Sequence, residues 1–151
     1  MGAVAIVDTS ILCEILNIPG KNSNQKVVVA ELKQLIDQKT SLLLPMAAIY
    51  ETGNHIAQLA DGGSRRQCAL RFVQQVQQAI AGEAPWTVMQ VPDREEITAW
   101  LIDFPDSATR GAGMGDLSMI KEWEKLRQIV PNRRIFIWSL DHHLKGYDHN
   151  P

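Results

Sequence analysis

Long apolar runs are missing from this chain of 151 residues. No apolar stretch approaches the ~20 residues that a helix needs to cross a membrane, so the sequence predicts no membrane span. The apolar run near the N-terminus is too short for a secretion signal, and no basic segment precedes it. We therefore expect a cytoplasmic protein that does not act at a membrane.

Cysteine is scarce as well. The two cysteines, Cys13 and Cys68, lack C-x-x-C spacing and lie in apolar helical patterns, which predicts buried free thiols. With 45% hydrophobic and 21% charged residues, the composition is that of a globular protein. The length is that of one ordinary domain, which can bury a core without disulfides.

Positive charge is not in excess either, because the formal net charge is −2. Proteins with a broad, non-specific nucleic-acid surface are usually basic, so the sequence argues against such a surface. A small enzyme that grips one strand through a local basic patch remains compatible with this charge. Bound divalent cations would also cancel part of the negative charge.

Strands and helices are predicted to alternate along the chain. Four short apolar runs predict strands, at residues 3–7, 41–44, 87–91 and 134–139. Amphipathic helical patterns lie between them, so we expect a parallel sheet with helices on both faces. Residues 105–115 are small, polar and glycine-rich, which predicts a loop. We expect one domain over residues 1–145, followed by a flexible tail at 146–151.

Four acidic residues follow predicted strands or begin predicted helices. Asp8 comes directly after the first strand, and Glu51 lies early in the helix after the second. Asp116 opens the helix after the glycine-rich segment, and Asp141 follows the last strand. Because ligands of such sheets bind beyond the carboxyl ends of the strands, we expect these four acids to meet at one edge.

Four carboxylates at one edge would repel each other, so we expect a cation to neutralise them. Ligand sets made only of oxygen favour Mg²⁺ or Mn²⁺ over Zn²⁺. One or two such ions can activate water and stabilise an in-line displacement at a phosphodiester. The four acids are therefore our candidates for both metal binding and catalysis.

Each acid also has a simpler interpretation. Asp and Glu are common at helix N-termini, where they cap the helix and complement its dipole, and this interpretation is strongest for Asp116 taken alone. Asp8 is harder to explain in this way because it directly follows a buried strand. His142 and His143, beside Asp141, would suit zinc, but no second histidine or cysteine cluster at ligand spacing supports a zinc site.

Four short motifs contain these acids: Val7-Asp8-Thr9-Ser10, Ile49-Tyr50-Glu51, Gly115-Asp116-Leu117-Ser118 and Trp138-Ser139-Leu140-Asp141. In order, spacing and structural setting they resemble the motif series of PIN-domain nucleases over nearly the whole chain. The resemblance implies a three-layer α/β/α sandwich with a central parallel sheet. It also implies cleavage of single-stranded or structured RNA with Mg²⁺ or Mn²⁺. Three core acids and a fourth, more variable one match Asp8, Glu51, Asp116 and Asp141.

Many bacterial PIN proteins of this size resemble VapC, the toxin of a toxin–antitoxin pair. This resemblance implies a cognate antitoxin that covers the acidic cleft, and a homodimer. The segment at 47–54 departs from the pattern, because it lacks the Thr-x-x-Glu-Leu sequence common in the toxins.

Polar and basic residues near the four acids are our candidates for contacts with the substrate. They are Thr9, Asn54, Arg110, Lys121 and Ser139. Arg110 and Lys121 flank the third acid in sequence and could hold RNA phosphates, and Ser139 matches the hydroxyl position that precedes the fourth acid in the family. Among the four tryptophans, Trp86 is the one we expect to be free to stack a base.

Two other protein classes share part of this pattern but lack residues that they need. A phosphotransferase of the haloacid-dehalogenase kind also begins with a strand and an Asp, but it needs a second Asp where this chain has Ser10. A receiver domain would need paired acids before the first strand's Asp and a late Lys, and neither is present. The remaining alternative is a catalytically silent PIN-like module that binds RNA or protein. Such modules usually lose one or more acids, whereas this chain keeps all four.

Overall fold

The structure, a computed structural model, describes residues 2–151, in which strands and helices alternate as the sequence predicts. Its elements are β1 Val4–Val7, α1 Thr9–Ile15, α2 Gln25–Asp37, β2 Ser41–Leu44, α3 Met46–Ala57, α4 Gly62–Ile80, β3 Trp86–Val88, α5 Arg94–Thr109, α6 Met114–Ile129, β4 Ile135–Trp138 and β5 Asp148–His149. None of the helices in this range combines the length and apolar character that crossing a membrane requires.

The sheet is mixed, with four parallel strands and one antiparallel strand. Its order is β3-β2-β1-β4-β5, and only the β4–β5 pairing is antiparallel. The chain moves from β1 outward to β3 and then returns to β4 on the other side of β1, which makes the gap between β1 and β4 a topological switch point. Ligand sites in open α/β sheets lie at such points, beyond the carboxyl ends of the strands.

The two central strands are buried at every position. Both β1 and β4 are apolar throughout, and each shows four buried residues in succession. Complete burial of a strand requires cover on both faces of the sheet. Right-handed crossovers, which parallel connections almost always adopt, would place α1 to α4 on one face and α5 and α6 on the other. The architecture is α/β and is compatible with the α/β/α sandwich expected from the sequence.

The C-terminal residues extend the sheet. Residues 146–151, expected to form a flexible tail, contain β5, which pairs with β4. Arg134 donates two hydrogen bonds to the carboxylate of Asp148, at 3.0 and 2.8 Å. The Tyr147 ring packs edge-on against Trp123, with 5.2 Å between ring centroids. These contacts cover the edge of β4 that would otherwise be exposed.

The loop predicted at residues 105–115 is mostly helix, and this prediction is wrong. Helix α5 continues through Pro105 to Thr109, although proline removes one backbone donor and usually kinks a helix. The helix ends in a Schellman motif, in which Gly111 has φ +81° and the Ala112 N–H donates to the carbonyl oxygen of Ser107 at 3.0 Å. The true loop is therefore short, and α6 starts immediately afterwards, at Met114.

Candidate metal centre

Asp8 lies at the carboxyl end of β1 and is the N-cap of α1. Its Oδ2 accepts hydrogen bonds from the hydroxyls of Ser139 and Ser10, at 2.7 and 2.8 Å. Asp8 is only 5% exposed, so these donors replace much of the water that a carboxylate normally binds. They hold one oxygen of the carboxylate and leave its other oxygen, Oδ1, for another partner.

Glu51 reaches the same region from the second turn of α3. Its Oε2 accepts a hydrogen bond from the Thr9 hydroxyl at 3.0 Å. Its other oxygen lies against Gly115 so closely that a Cβ added to this glycine would stand 1.9 Å from it. Gly115 therefore provides the space in which the Glu51 carboxyl group sits, and it brings that group to the start of α6.

Asp116 lies in the first turn of α6, next to Gly115. Burial raises the pKa of Asp116 above its ordinary value, and the negative charges of Asp8, Asp141 and Glu51 raise it further, while His143 lowers it. The electrostatic field at this carboxyl group thus includes all three of the other acids. A like-charge cluster disfavours ionisation of its members unless a cation joins it.

Asp141 follows β4 and is held by hydrogen bonds with Ser139 and His143. The N–H of Asp141 donates to the Ser139 hydroxyl oxygen at 2.9 Å. The Oδ1 of Asp141 accepts from the N–H of His143 at 2.9 Å. Ser139 therefore joins two acids, because its hydroxyl donates to the carboxylate of Asp8 and accepts from the backbone of Asp141.

All four acids line one cavity of about 300 Å³, which we call the acid cavity. Its walls come from the end of β1, α1, the α1–α2 loop, α3, α6 and the segment after β4. They consist of Asp8, Thr9, Ser10, Cys13, Glu14, Lys21, Glu51, His55, Asp116, Leu140 and Asp141. Within residues 2–151 the only ion pair formed by any of the four acids is a 3.9 Å contact between Asp141 and His142, and it requires a protonated histidine. Their charge is therefore left largely unbalanced.

The four acids are oxygen ligands of the type that a hard divalent cation prefers, but their ligand atoms do not all lie close enough together to share one ion. Only one group of three possible ligands in the described part of the chain has all its ligand atoms within 4.8 Å of one another, and it consists of Asp141, His142 and His143. These are consecutive residues, and both histidines are exposed. The other three acids form no such group, which is consistent with carboxylates that repel each other without a shared ion. The close approach of Glu51 to Gly115 and the raised pKa of Asp116 both indicate that the carboxyl groups lie near one another.

Two of the expected substrate contacts lie beneath the acids instead. Thr9 and Ser139 are each 6% exposed, and their hydroxyls are engaged with the acids described above. These hydroxyls orient the acids, as supporting residues around a metal usually do. Asn54 is exposed on α3 and does not line the acid cavity, whereas its neighbour His55 does.

The two basic residues expected to hold RNA lie in a second cavity of about 380 Å³, between α5, α6 and the C-terminal segment. We call it the flanking cavity, and it shares Asp116 with the acid cavity. Lys121 forms ion pairs there with Asp103 and Glu124, so its charge is already used. Arg110 is exposed and forms no ion pair within residues 2–151.

Trp86 is not available to a base, and the expectation that it stacks one is wrong. Its side chain is 2% exposed, and its backbone pairs with Leu42 in the sheet. The residue begins strand β3 rather than preceding it in a loop, which turns its ring into the core.

The sequence reasoning missed two charged residues of the acid cavity, Glu14 and Lys21. Glu14 falls in α1 one turn after Ser10, a spacing that places it on the same side of the helix, so its position could have been anticipated. Burial and the charge of Lys21 lower the pKa of His55, against an opposing effect of Glu51. The lowered pKa favours the neutral form of His55, and Lys21 is the one lysine or arginine among the residues that line the cavity.

Neither a scan against protein-family models nor a search of curated proteins gives a match for this chain.

Proposed function

We propose that this chain is a ribonuclease with a PIN-like fold that cleaves RNA phosphodiesters with Mg²⁺ or Mn²⁺ at the acid cavity. One observation carries the proposal. Four carboxylates from four separate segments of the chain line a single cavity at the carboxyl edge of the sheet, and their charge is largely unbalanced within residues 2–151. A fold that gathers such charge and does not neutralise it is suited to binding a divalent cation.

The cation would be held by Asp8, Glu51, Asp116 and Asp141. All are oxygen ligands of the kind that Mg²⁺ and Mn²⁺ prefer. When bound, such an ion lowers the pKa of water and offsets the charge that develops at a phosphodiester during in-line displacement.

The chain's own residues orient this set of ligands. The hydroxyls of Ser10 and Ser139 fix one oxygen of Asp8, and that of Thr9 fixes one oxygen of Glu51. Gly115 leaves the space that Glu51 fills. Asp8 and the hydroxyl-bearing residues Thr9 and Ser139 are buried, and partial exclusion of water strengthens the interaction of the Asp8 carboxylate with a cation.

The choice of RNA as the substrate rests on the resemblance of the four motifs to those of PIN-domain nucleases. The same resemblance supports a toxin of a toxin–antitoxin pair, with an antitoxin that covers the acid cavity, and a homodimer. The alternative is a PIN-like module that binds RNA or protein without cutting it. One observation favours this alternative, namely that Asp8, Glu51 and Asp116 do not bring their ligand atoms within 4.8 Å of one another.

The test is cleavage of a labelled single-stranded RNA by the purified chain. We expect cleavage with Mn²⁺ or Mg²⁺ that stops in excess EDTA and is lost in Asp8→Asn, because a neutral amide binds hard cations much more weakly than a carboxylate. Cleavage that persists in EDTA or in the variant would contradict the proposal. Metal-dependent binding of RNA without cleavage would favour the silent module.

A further inference from the structure

Lys21 is a cation without a partner at the edge of an acidic site. It lines the acid cavity together with the four acids. Its side chain is exposed, and it forms no ion pair in the part of the chain that the structure describes. Burial raises the pKa of Cys13 to about 11 against an opposing effect of the Lys21 charge, and burial and the same charge lower the pKa of His55. Both residues also line the acid cavity. The charge of Lys21 therefore acts into the cavity.

The loop that carries Lys21 is held in a defined shape. It connects α1 to α2 and turns at Asn17, with φ +55°, and at Gly20, with φ +80°. The Nδ2 of Asn22 donates to Oδ1 of Asn17 at 2.8 Å, and the N–H of Lys21 donates to the carbonyl oxygen of Ile18 at 2.9 Å. These bonds fix the backbone from which the lysine side chain extends.

Two more distant residues anchor the same loop. Arg71 on α4 donates to the carbonyl oxygen of Leu16 at 3.2 Å. Glu14, which is 3% exposed, accepts the N–H of Asn24 at 3.1 and 3.3 Å and its side-chain amide at 3.4 Å. Both carboxylate oxygens of Glu14 are thus used to hold the loop. Burial of a carboxylate is costly unless it is hydrogen-bonded. Because the hydrogen bonds of Glu14 come from Asn24, the loop must keep this conformation to offset that cost.

We propose that Lys21 binds a phosphate oxygen of the RNA strand in the acid cavity and so positions the strand for cleavage. This inference rests on the proposed ribonuclease function. An ammonium group is a compact point charge suited to a phosphate, and Lys21 is the one lysine or arginine among the residues that line the acid cavity. Lys121, which the sequence favoured for this role, is already paired with Asp103 and Glu124.

A second role for Lys21 would be that of a fixed counter-charge to the four acids. The two roles predict different effects of removing Lys21 on the binding of Mn²⁺. A counter-charge competes with the metal, so its removal would tighten Mn²⁺ binding. A phosphate ligand has little effect on metal binding in the absence of RNA, and its removal weakens the binding of RNA.

The experiment compares wild type with Lys21→Gln, Lys21→Arg and the control Lys33→Gln. Lys33 is exposed on α2 and does not line the acid cavity, so the control removes the same charge elsewhere. RNA binding is measured by fluorescence anisotropy of a labelled single strand over a range of salt concentrations. Ca²⁺ replaces Mn²⁺ because it accepts the same oxygen ligands in a more flexible geometry, and a gel checks that the RNA stays intact. Mn²⁺ binding without RNA is measured by calorimetry, and kcat and KM are measured with Mn²⁺.

For Lys21→Gln we expect RNA affinity to fall about 5- to 10-fold, which corresponds to the loss of roughly one charged contact. The slope of log affinity against log salt should become shallower by about 0.7, the value for one phosphate contact on a single strand. KM should rise while kcat and Mn²⁺ affinity stay within about 2-fold. Lys21→Arg should keep most of the RNA affinity, and Lys33→Gln should match wild type.

Three results would overturn the proposal. Tighter Mn²⁺ binding with unchanged RNA affinity in Lys21→Gln would assign Lys21 the counter-charge role. Equal losses in Lys21→Gln and Lys33→Gln would show a diffuse surface effect. Failure of the ribonuclease proposal gives a different result from failure of this one. If wild type binds RNA without cutting it, and only Lys21→Gln loses RNA affinity and salt dependence, the phosphate contact at Lys21 is still supported. A wild type that binds no RNA overturns both proposals.

Discussion

The acid cavity and the flanking cavity share Asp116, but they differ in the partners of their other carboxylates. In the flanking cavity, of about 380 Å³, the carboxylates of Asp103 and Glu124 pair with Lys121. In the acid cavity, of about 300 Å³, the carboxylates of Asp8 and Glu51 accept hydrogen bonds from serine and threonine hydroxyls, which leave their charge in place. Two acids of the flanking cavity are therefore paired with a lysine, whereas none of the four acids of the acid cavity forms an ion pair with a lysine or arginine within residues 2–151.

This difference distinguishes carboxylates that form ordinary surface ion pairs from carboxylates that remain able to bind a cation. Exposed ion pairs such as those of Lys121 contribute about 0–1 kcal/mol to stability and are screened by salt. Hydroxyl donors hold carboxylates in place without cancelling their charge, so the acid cavity keeps its attraction for a cation. A position in a cavity is thus a poor guide to function unless the partners of each charge are also known.

The largest difference in cleavage rate should appear between a variant that removes one of the four acids and a variant that removes an acid found only in the flanking cavity. Asp116→Asn should lower the rate of Mn²⁺-dependent RNA cleavage by about 10³-fold, which corresponds to about 4 kcal/mol of transition-state stabilisation. Asp103→Asn should change it less than about 3-fold, because this acid pairs with Lys121. Single-turnover cleavage rates of both variants measure the difference. Similar losses in the two variants would remove the distinction between the cavities.

A smaller effect should follow from the loss of one serine hydroxyl from each region. Ser139→Ala removes the hydroxyl that joins Asp8 and Asp141, and such supporting groups are typically worth 10- to 100-fold in metal affinity or activity. Ser107→Ala removes a buried hydroxyl that donates to the carbonyl oxygen of Ala112 at 3.0 Å, so it serves as a control for lost hydrogen bonding. We expect both variants to lose stability and only Ser139→Ala to lose Mn²⁺ affinity, as measured by calorimetry. If Ser107→Ala loses as much Mn²⁺ affinity, the effect is structural.

A third comparison uses two helical glycines. In Gly115→Ala the added Cβ would meet the Glu51 carboxyl group, which must move, so we expect about a 10-fold loss of cleavage. In Gly53→Ala the nearest atoms, those of Phe72, stand at 3.9 Å, an ordinary contact, and alanine favours the helix by up to about 1 kcal/mol. Gly53→Ala should therefore melt higher and cut normally. Normal cleavage by Gly115→Ala would mean that the position of Glu51 does not matter.

The smallest effect concerns stability without metal. Because burial and the neighbouring acids raise the pKa of Asp116, its charged form is disfavoured in the folded chain. Stability is then lost as pH rises from the ordinary aspartate pKa through the raised value, and the loss remains above it. In EDTA near neutral pH, Asp116→Asn should melt above wild type by ~2–4 °C, the shift for about 1 kcal/mol in a chain of this size.

The pH dependence provides the control for this last comparison. At a pH below the ordinary aspartate pKa, wild-type Asp116 is protonated and resembles the variant, so the difference in melting temperature should vanish. Asp103→Asn, which loses an ion pair with Lys121, should melt at or slightly below wild type at neutral pH. A variant Asp116→Asn that melts lower than wild type in EDTA would identify this acid as a structural cap.

The placement of the acids could be predicted because it depends on local signals. Apolar runs mark where the parallel strands end, and Asp8 follows β1 directly. The mixed sheet was not predicted, since β5 is two residues long and polar and carries no periodic pattern. Nor was the length of α5, because Pro105 usually ends a helix and here does not.

The surroundings of the basic residues could not be predicted, because they depend on contacts between distant parts of the chain. Lys121 is paired with Asp103, which is 18 residues away and joins it only because α5 packs against α6. Lys21 reaches the acid cavity because Arg71, on another helix, and the buried Glu14 hold its loop. Sequence spacing alone shows neither contact.

Calorimetric titration of the purified chain with Mn²⁺ tests most directly whether the acid cavity is a metal site. The account predicts saturable binding by wild type and by Asp103→Asn, and binding at least about 10-fold weaker by Asp116→Asn, because only this variant removes a ligand from the cavity. Wild type that binds no Mn²⁺, or that binds it as weakly as Asp116→Asn does, would contradict the account.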